Sequence, residues 1–295
     1  MHGRFGGTHL RQSRIFLPTA VGVLCLPLAI AVYFTNASGS SPLAHSPPVA
    51  VSAADTNLLV SAEQVLIRDC MRRHGFAYWP LTASQAYPTA RFPYVITSVP
   101  WARRHGFSGA LVAVTSQNPN QYYYGRLTTA QQAAYSNALV GNADSPGVTT
   151  SLPTGGIEGH SADGCQVTAD AELYGNYQYW FKASTVALDL PILTQSMVFS
   201  DRRYNHAVSV WSACMQAKGY RYSNPAQAPA GTRSQQIRAA VAEAQCAGST
   251  GLTTVAGNLS HEYAARVSQE FRSALEAEWR LEQRALPWAR QVLRS

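Results

Sequence analysis

The sequence predicts a mainly α-helical protein: a single irregular helical domain made of two related helix–CysMet–Gly–aromatic units, stapled by disulfides, after an N-terminal membrane span. Three observations predict it. Apolar residues recur at three- and four-residue steps over several long stretches. Four cysteines lie outside the N-terminal apolar run, and two of them open the same short motif. Near the N-terminus, Ile15 to Phe34 is an uncharged run of twenty residues.

That run is long enough to cross a hydrocarbon core of roughly 30 Å. Arg4, Arg11 and Arg14 precede it, and no Lys or Arg follows until Arg68. The asymmetry places residues 1–14 in the cytoplasm as a basic tail and everything after the span outside. Residues 15–34 read as a transmembrane signal anchor or a signal peptide. Thr35-Asn36-Ala37 and Val51-Ser52-Ala53 are small-residue cleavage sites, and cutting near Ala37 makes the protein secreted. Val23 and Leu24 before Cys25 are not the setting of a lipidation signal. Residues 35–55, rich in Ser, Ala and Pro, form a linker, so the extracytoplasmic domain is expected over 56–295, beginning near Asp55.

The composition is globular, with 46% hydrophobic residues, but only 13% are charged, so Ser, Thr, Asn and Gln supply much of the polar surface. The formal charge is +7; setting aside Arg4, Arg11 and Arg14 leaves twenty cations against sixteen acids, or +4. The remaining arginines are scattered among acids rather than gathered in a stripe, which argues against a nucleic-acid partner.

Cys70, Cys165, Cys214 and Cys246 allow three disulfide connectivities in an oxidising compartment. An internal repeat favours one. Cys70-Met71-Arg72-Arg73-His74-Gly75-Phe76-Ala77-Tyr78 and Cys214-Met215-Gln216-Ala217-Lys218-Gly219-Tyr220-Arg221-Tyr222 both read C-M-x-x-x-G-[FY]-x-Y. Leu59, Ala62, Leu66 and Cys70, like Tyr204, Ala207, Trp211 and Cys214, recur at helical spacing. Each cysteine therefore sits on the apolar stripe of a helix, which Gly75 or Gly219 ends. The aromatics that follow alternate as in an extended segment. Each copy precedes a second helical stretch with one more cysteine: Ser161–Tyr174 carries Cys165, and Thr232–Ala247, which opens with Thr232 and Gln235 at capping-box spacing, carries Cys246. The economical pairing is Cys70 with Cys165 and Cys214 with Cys246, although Cys246 falls off the Ile237–Val241 stripe.

Elsewhere, Thr129–Val140 reads as a short helix with a Thr129/Gln132 capping box and Gly141 as its stop. Asn142–Gly159, full of Gly, Ser, Thr and Pro, reads as a loop. Arg91–Tyr124 is expected to be irregular, with a helical turn at Trp101–His105, and Tyr177–Leu190 to be helical until Pro191. Leu259, Tyr263, Val267, Phe271, Leu275 and Trp279 repeat every four residues in a long C-terminal helix. Such a stripe winds about 40° per step, so the helix must bend or change neighbours, and Pro287 marks an end or kink.

Cys70 and His74 stand at a spacing that can bind a metal, but Lys218 takes the histidine's place in the second copy, and a disulfide beside a solvated histidine is the expectation. Glu158, His160 and Asp163 form the one loop cluster able to act as acid and base on an envelope polymer or peptide, the alternative, hydrolase-type function. No nucleophile elbow, phosphate loop, dinucleotide fingerprint or haem motif is present, so no cofactor and no catalytic or metal residue is assigned. Aromatics carry the preferred function: a non-enzymatic binding module on the outer face of the membrane, whose partner is a cell-wall polymer or protein. Tyr122, Tyr123, Tyr124, Trp79 and Trp101 are its candidate contacts, with a second aromatic group at Tyr177, Tyr179, Trp180 and Phe181.

The repeated motif resembles one found in exported or membrane-anchored actinobacterial proteins of unknown function. Leu127-Thr128-Thr129-Ala130-Gln131-Gln132-Ala133-Ala134-Tyr135 with Ala138-Leu139, and Gly164-Cys165 ahead of Ala169 and Tyr174-Gly175, are similar accessory features. The likeness spans most of residues 57–250 and implies compartment, lineage and a helical, disulfide-bonded body. It transfers no functional residue.

Overall fold

The computed structural model describes residues 50–87, 90–108, 118–142, 144–145, 147–225 and 231–294. The basic tail, the apolar span, Cys25, the Ala37 cleavage site and most of the linker lie outside the described residues. Among the described residues, no helix is long and apolar enough to cross a membrane.

The protein is mainly helical. Eleven helices and one hairpin are present among the described residues. In chain order these are α1 (Ala53–Arg73), α2 (Ala83–Ala86), α3 (Val99–His105), α4 (Pro119–Tyr124), α5 (Thr129–Val140), β1 (Gly147–Ser151), β2 (Ile157–Ser161), α6 (Cys165–Tyr174), α7 (Tyr177–Ser200), α8 (Arg202–Ala217), α9 (Arg233–Ser249), α10 (Leu252–Glu270) and α11 (Arg272–Val292). The first helix starts before the expected boundary at Asp55, because the Ser52 hydroxyl accepts from the Asp55 N–H and caps it.

The repeated motif is a helix stop. In α1, Met71 is the third residue from the end, His74 the cap and Gly75 the first residue beyond. The Phe76 N–H donates to the Met71 carbonyl at 3.0 Å, and the Gly75 N–H to the Arg72 carbonyl at 3.0 Å. In α8 the Tyr220 N–H donates to Met215 and the Gly219 N–H to Gln216, each at 2.9 Å. This is the Schellman arrangement twice, with Gly75 at φ 82° and Gly219 at φ 86°, a left-handed conformation that a side chain strains. It also explains the methionine: the residue three from the end meets the aromatic that follows the glycine. Met71 and Met215 are fully buried in two clusters that Phe76 and Tyr220 respectively pack against.

One residue before each methionine stands the cysteine. Cys70 is bonded to Cys165 at the start of α6, and Cys214 to Cys246 in α9. Cys246 is fully buried because the covered face of α9 is its alanine side, Ala239, Ala240, Ala244 and Ala247, and not the Ile237–Val241 line.

Four core clusters follow. α1, α6, α7 and α11 enclose Leu59, Leu173, Trp180, Leu281 and Leu286. α8, α9, α10 and the end of α7 enclose Trp211, Leu252, Leu259 and Val198. A third cluster joins α1, α5 and α6 around Tyr135 and the first disulfide, and a fourth joins α3 to α9. α7 belongs to the first two, which its 24 residues, about 36 Å, allow.

Several expectations are corrected. α7 does not stop at Pro191; the proline lies on the exposed side, while Thr194 and Val198 beyond it are buried. Asn142–Gly159 is not only a loop, for it contains β1 and the start of β2, paired antiparallel with Thr150 opposite Glu158. Ser161 consequently ends a strand rather than opening a helix. Asp189 of α7 ties the hairpin down, accepting from the Thr154 N–H at 2.6 Å and its hydroxyl at 3.0 Å. The α5 capping box is Thr128/Gln131, one residue earlier than expected, whereas the Thr232/Gln235 box of α9 is as expected. Among its described residues Arg91–Tyr124 holds α3, which contains the expected turn at Trp101–His105, and also α4, each opened by a side-chain cap from Ser98 or Asn118. The C-terminal stripe is split at Phe271 into α10, which packs on α7 and α8, and α11, which packs on α1, α6 and α7; Pro287 is inside α11 on its exposed side.

Both glycines and both disulfides are testable. Replacing Gly75 or Gly219 by Ala should cost about 1 kcal/mol in chemical denaturation, since the left-handed conformation is retained at a penalty. Closing loops of 95 and 32 residues, the disulfides differ in entropic value. Removing Cys70–Cys165 as a Cys→Ala pair should cost about 4–5 kcal/mol, and Cys214–Cys246 about 3–4.

Candidate functional site

The aromatic residues separate into two places. Trp79 follows the first motif, and its backbone is held by Asn120 of α4. The Trp79 N–H donates to the Asn120 amide oxygen at 2.8 Å, and the Asn120 amide donates back to the Trp79 carbonyl at 2.9 Å. Asn120 is buried, so this two-way grip fixes α4 against the chain leaving α1. The Trp79 ring, 44% exposed, then meets Tyr123 edge-on at 5.5 Å. Tyr122 is 71% exposed and carries the Arg126 guanidinium 5.6 Å from its ring centre. Tyr124 turns inward onto the buried Tyr135 at 5.6 Å, and Phe76 packs on the same ring at 5.3 Å. Three consecutive tyrosines on a short helix thus divide into one outward, one at the rim and one inward.

Trp101 does not join them. It stacks on His105 at 4.9 Å and meets Phe92 edge-on at 5.0 Å, against the α3–α9 cluster. The candidate platform is the contacting pair Trp79–Tyr123, with Tyr122 and its cation Arg126 beside Tyr123 in sequence at the end of α4.

The loop cluster of acids and histidine does not assemble. Glu158 and His160 lie on β2, where the His160 Nδ1 is 2.9 Å from the Ser161 carbonyl and its ring rests against Tyr177 and Phe181. Asp163 accepts from the Asn142 N–H at 3.1 Å, from Ser145 at 3.2 Å, and from the Ser161 hydroxyl. Those bonds, Ser161 first, hold its carboxyl below the usual aspartate range. Asp163 is a loop clamp. Among the described residues, only Cys70, His74 and Cys165 bring three His, Cys, Asp or Glu ligand atoms within 4.8 Å of one another, and two of those are bonded sulfurs.

A set of buried carboxyl groups, singled out by no motif, lies between α1, α6 and α11. Glu63, Glu278 and Glu282 are each no more than 5% exposed. Glu63 accepts from the Tyr87 hydroxyl at 3.1 Å. Burial pushes Glu63 and Glu282 up to about 8. Asp170 of α6 is raised well above the usual value by desolvation and then by Glu63, against a hydrogen bond from Trp180. The Tyr174 hydroxyl, stacked by its ring on Trp180 at 3.5 Å, is raised by burial and by the fields of Glu63, Asp170, Glu282 and Glu278. Glu243 of α9 is a separate case: it accepts from the Ile96 N–H at 2.9 Å, and burial raises it to about 8. The only sequence trace of this set is Glu278 and Glu282 falling on the apolar face of α11, beside Leu281, Ala285 and Leu286.

Comparison with protein-family models, with curated proteins and with solved structures finds no match to this chain.

These acids set the sign of the pH dependence. A carboxyl whose folded pKa is about 8 against an ordinary 4.5 keeps a proton that the unfolded chain releases, so stability is fully present below pH 4.5 and is lost as pH rises to 8. Asp201, held low first by Arg203 and then by Tyr263, acts oppositely: its contribution is present above the ordinary 3.8 and is lost in stronger acid. Thermal melts should therefore show a maximum near pH 4–5 and a falling Tm up to pH 8. Glu63→Gln and Glu243→Gln should each flatten that fall and raise Tm at pH 8.

Proposed function

We propose that the protein is a non-enzymatic binding module of the cell envelope, held at the outer face of the membrane by its N-terminal span or released from it, and that the Trp79–Tyr122–Tyr123 platform contacts an envelope polymer. The observation that carries this reading is the Asn120 grip. Two hydrogen bonds to the buried Asn120 fix the backbone beneath an exposed tryptophan, and Tyr123 lies against its ring, so ordering it on binding costs little entropy. Exposed aromatic faces with a neighbouring guanidinium suit the faces of sugar rings and the apolar or acidic groups of a partner.

In the same proposal, residues 56–295 are one domain of two related units, and the chain is akin to exported actinobacterial proteins sharing the repeated motif. The matched hydrogen bonds at Met71–Phe76 and Met215–Tyr220, each beside a disulfide, support the duplication. Two disulfides support an oxidising compartment. The charge asymmetry around residues 15–34 supports the orientation.

Cosedimentation of the purified chain with insoluble cell-wall material tests the platform. The parent protein should pellet with the wall, and Trp79→Ala or Tyr122→Ala should reduce the bound fraction at least fivefold with Tm unchanged within a few degrees. Trp101→Ala should bind as the parent does. Equal binding by all three variants refutes the platform.

A further inference from the structure

A second surface has different chemistry. Between α7 and α11 two adjoining hollows of about 640 and 680 Å³ form an open groove, with Tyr179 and Arg284 lining both. The α7 wall carries Asn176, Gln178 and Lys182, and the α11 wall carries Arg280. Tyr179 is 52% exposed, so a flat ring is open to solvent in the middle of the groove.

The cations are placed rather than spent. Arg280 is braced along its own helix, donating from Nε to the Glu276 carbonyl at 3.1 Å and pairing with the Glu276 carboxylate at 3.2 Å. Arg284 donates from Nε to the Arg280 carbonyl at 3.1 Å, which orients its guanidinium. Lys182 has no hydrogen-bond or ion-pair partner among the described residues. Three cations thus face one carboxylate. Glu282, two positions before Arg284, lies on the buried side of α11, away from the groove, and burial raises its carboxyl to about 8.

We infer that this groove binds an acidic saccharide, a sugar chain bearing carboxylate groups. A guanidinium with one nitrogen fixed offers its remaining N–H groups to a carboxylate. The Tyr179 ring gives a sugar ring a face to lie on, and its own backbone is fixed by the helix cap, since the Asn176 side-chain oxygen accepts from the Tyr179 N–H at 2.9 Å. That bond leaves the Asn176 amide N–H groups, with exposed Gln178, to serve hydroxyls. Trp279, Ala277 and Leu281 supply the apolar part of the lining, against which the faces of further sugar rings can rest. This site is independent of the Trp79 platform, so either can fail alone.

Calorimetric titration of the full-length, disulfide-bonded chain with hexagalacturonate tests the inference, with maltohexaose as the neutral sugar. The acidic oligosaccharide should bind at least tenfold more tightly than the neutral one, and more weakly as salt rises. Lys182→Ala with Arg284→Ala should weaken it at least tenfold, Tyr179→Ala at least threefold, and Lys182→Arg little, each with the parent's Tm. Trp79→Ala should leave it unchanged. The inference is overturned by no binding of hexagalacturonate, by equal affinity for maltohexaose, or by a folded Lys182→Ala/Arg284→Ala protein that binds as the parent does. Tighter binding to phosphatidylglycerol vesicles or oligothymidylate, indifferent to Tyr179→Ala, also overturns it, in favour of a lipid or nucleic-acid surface.

Discussion

A helix end locked from two directions is the constraint on which this structure depends. At the close of α1, backbone bonds from Gly75 and Phe76 satisfy the last carbonyls, and a disulfide one residue before Met71 ties the same turn to α6. Neither device does the other's task. The Schellman turn sets the direction in which the chain leaves, and the covalent bond sets which helix lies beside it. The chain then runs back along α1, where Tyr78 and the Leu81 N–H both bond to the buried Gln64 oxygen, at 2.9 and 3.2 Å. Trp79 is delivered to Asn120 from that path. The platform's position is therefore decided at a helix terminus.

At the end of α8 the same locked terminus serves a different purpose. There the returning segment is fastened by the Ser212 hydroxyl donating to the Tyr222 carbonyl at 2.6 Å, and Tyr220 and Tyr222 stack with ring centres 5.9 Å apart. No exposed tryptophan follows. Asp201 joins α7 to α8 and reaches α10 as well, accepting from Arg203 and, at 2.8 Å, from the Tyr263 hydroxyl. The second cluster is fixed at several points, while the third, around Tyr135, carries the candidate contacts.

What could be read from residues was whatever depends on a local rule. Gly75 and Gly219 are legible because few other residues tolerate the left-handed turn, and the methionines because their spacing repeats. The Thr232/Gln235 box is legible for the same reason, while at Thr128-Thr129 two adjacent threonines made the local rule ambiguous by one position. What could not be read depends on distant partners. Pro191 looks like a stop until the buried Thr194 and Val198 beyond it are seen to hold the helix, and the hairpin's short polar strands show no alternating apolar face, being held by pairing, by α7 and by Asp189. The platform was half legible: Trp79 and Tyr122–Tyr124 were singled out, but nothing in the sequence says that Asn120 joins them or that Trp101 packs elsewhere.

The buried carboxyls were illegible for a further reason, since glutamate on a helix is read as solvated. α11 shows what such a residue does when it is not. Its acids at Glu278 and Glu282 face inward, two positions from Arg280 and Arg284, which face the groove. Two positions are about 200° around a helix, so the acids and bases occupy opposite sides. Were the inner acids ionised, they would oppose the field of the outer cations through little more than a helix width of low dielectric. Burial raises Glu282 to about 8, which favours its neutral form behind the groove. The same burial that makes the bundle sensitive to alkali thus weakens the opposition of Glu282 to the cations of α11, so core stability and surface charge are linked through one helix.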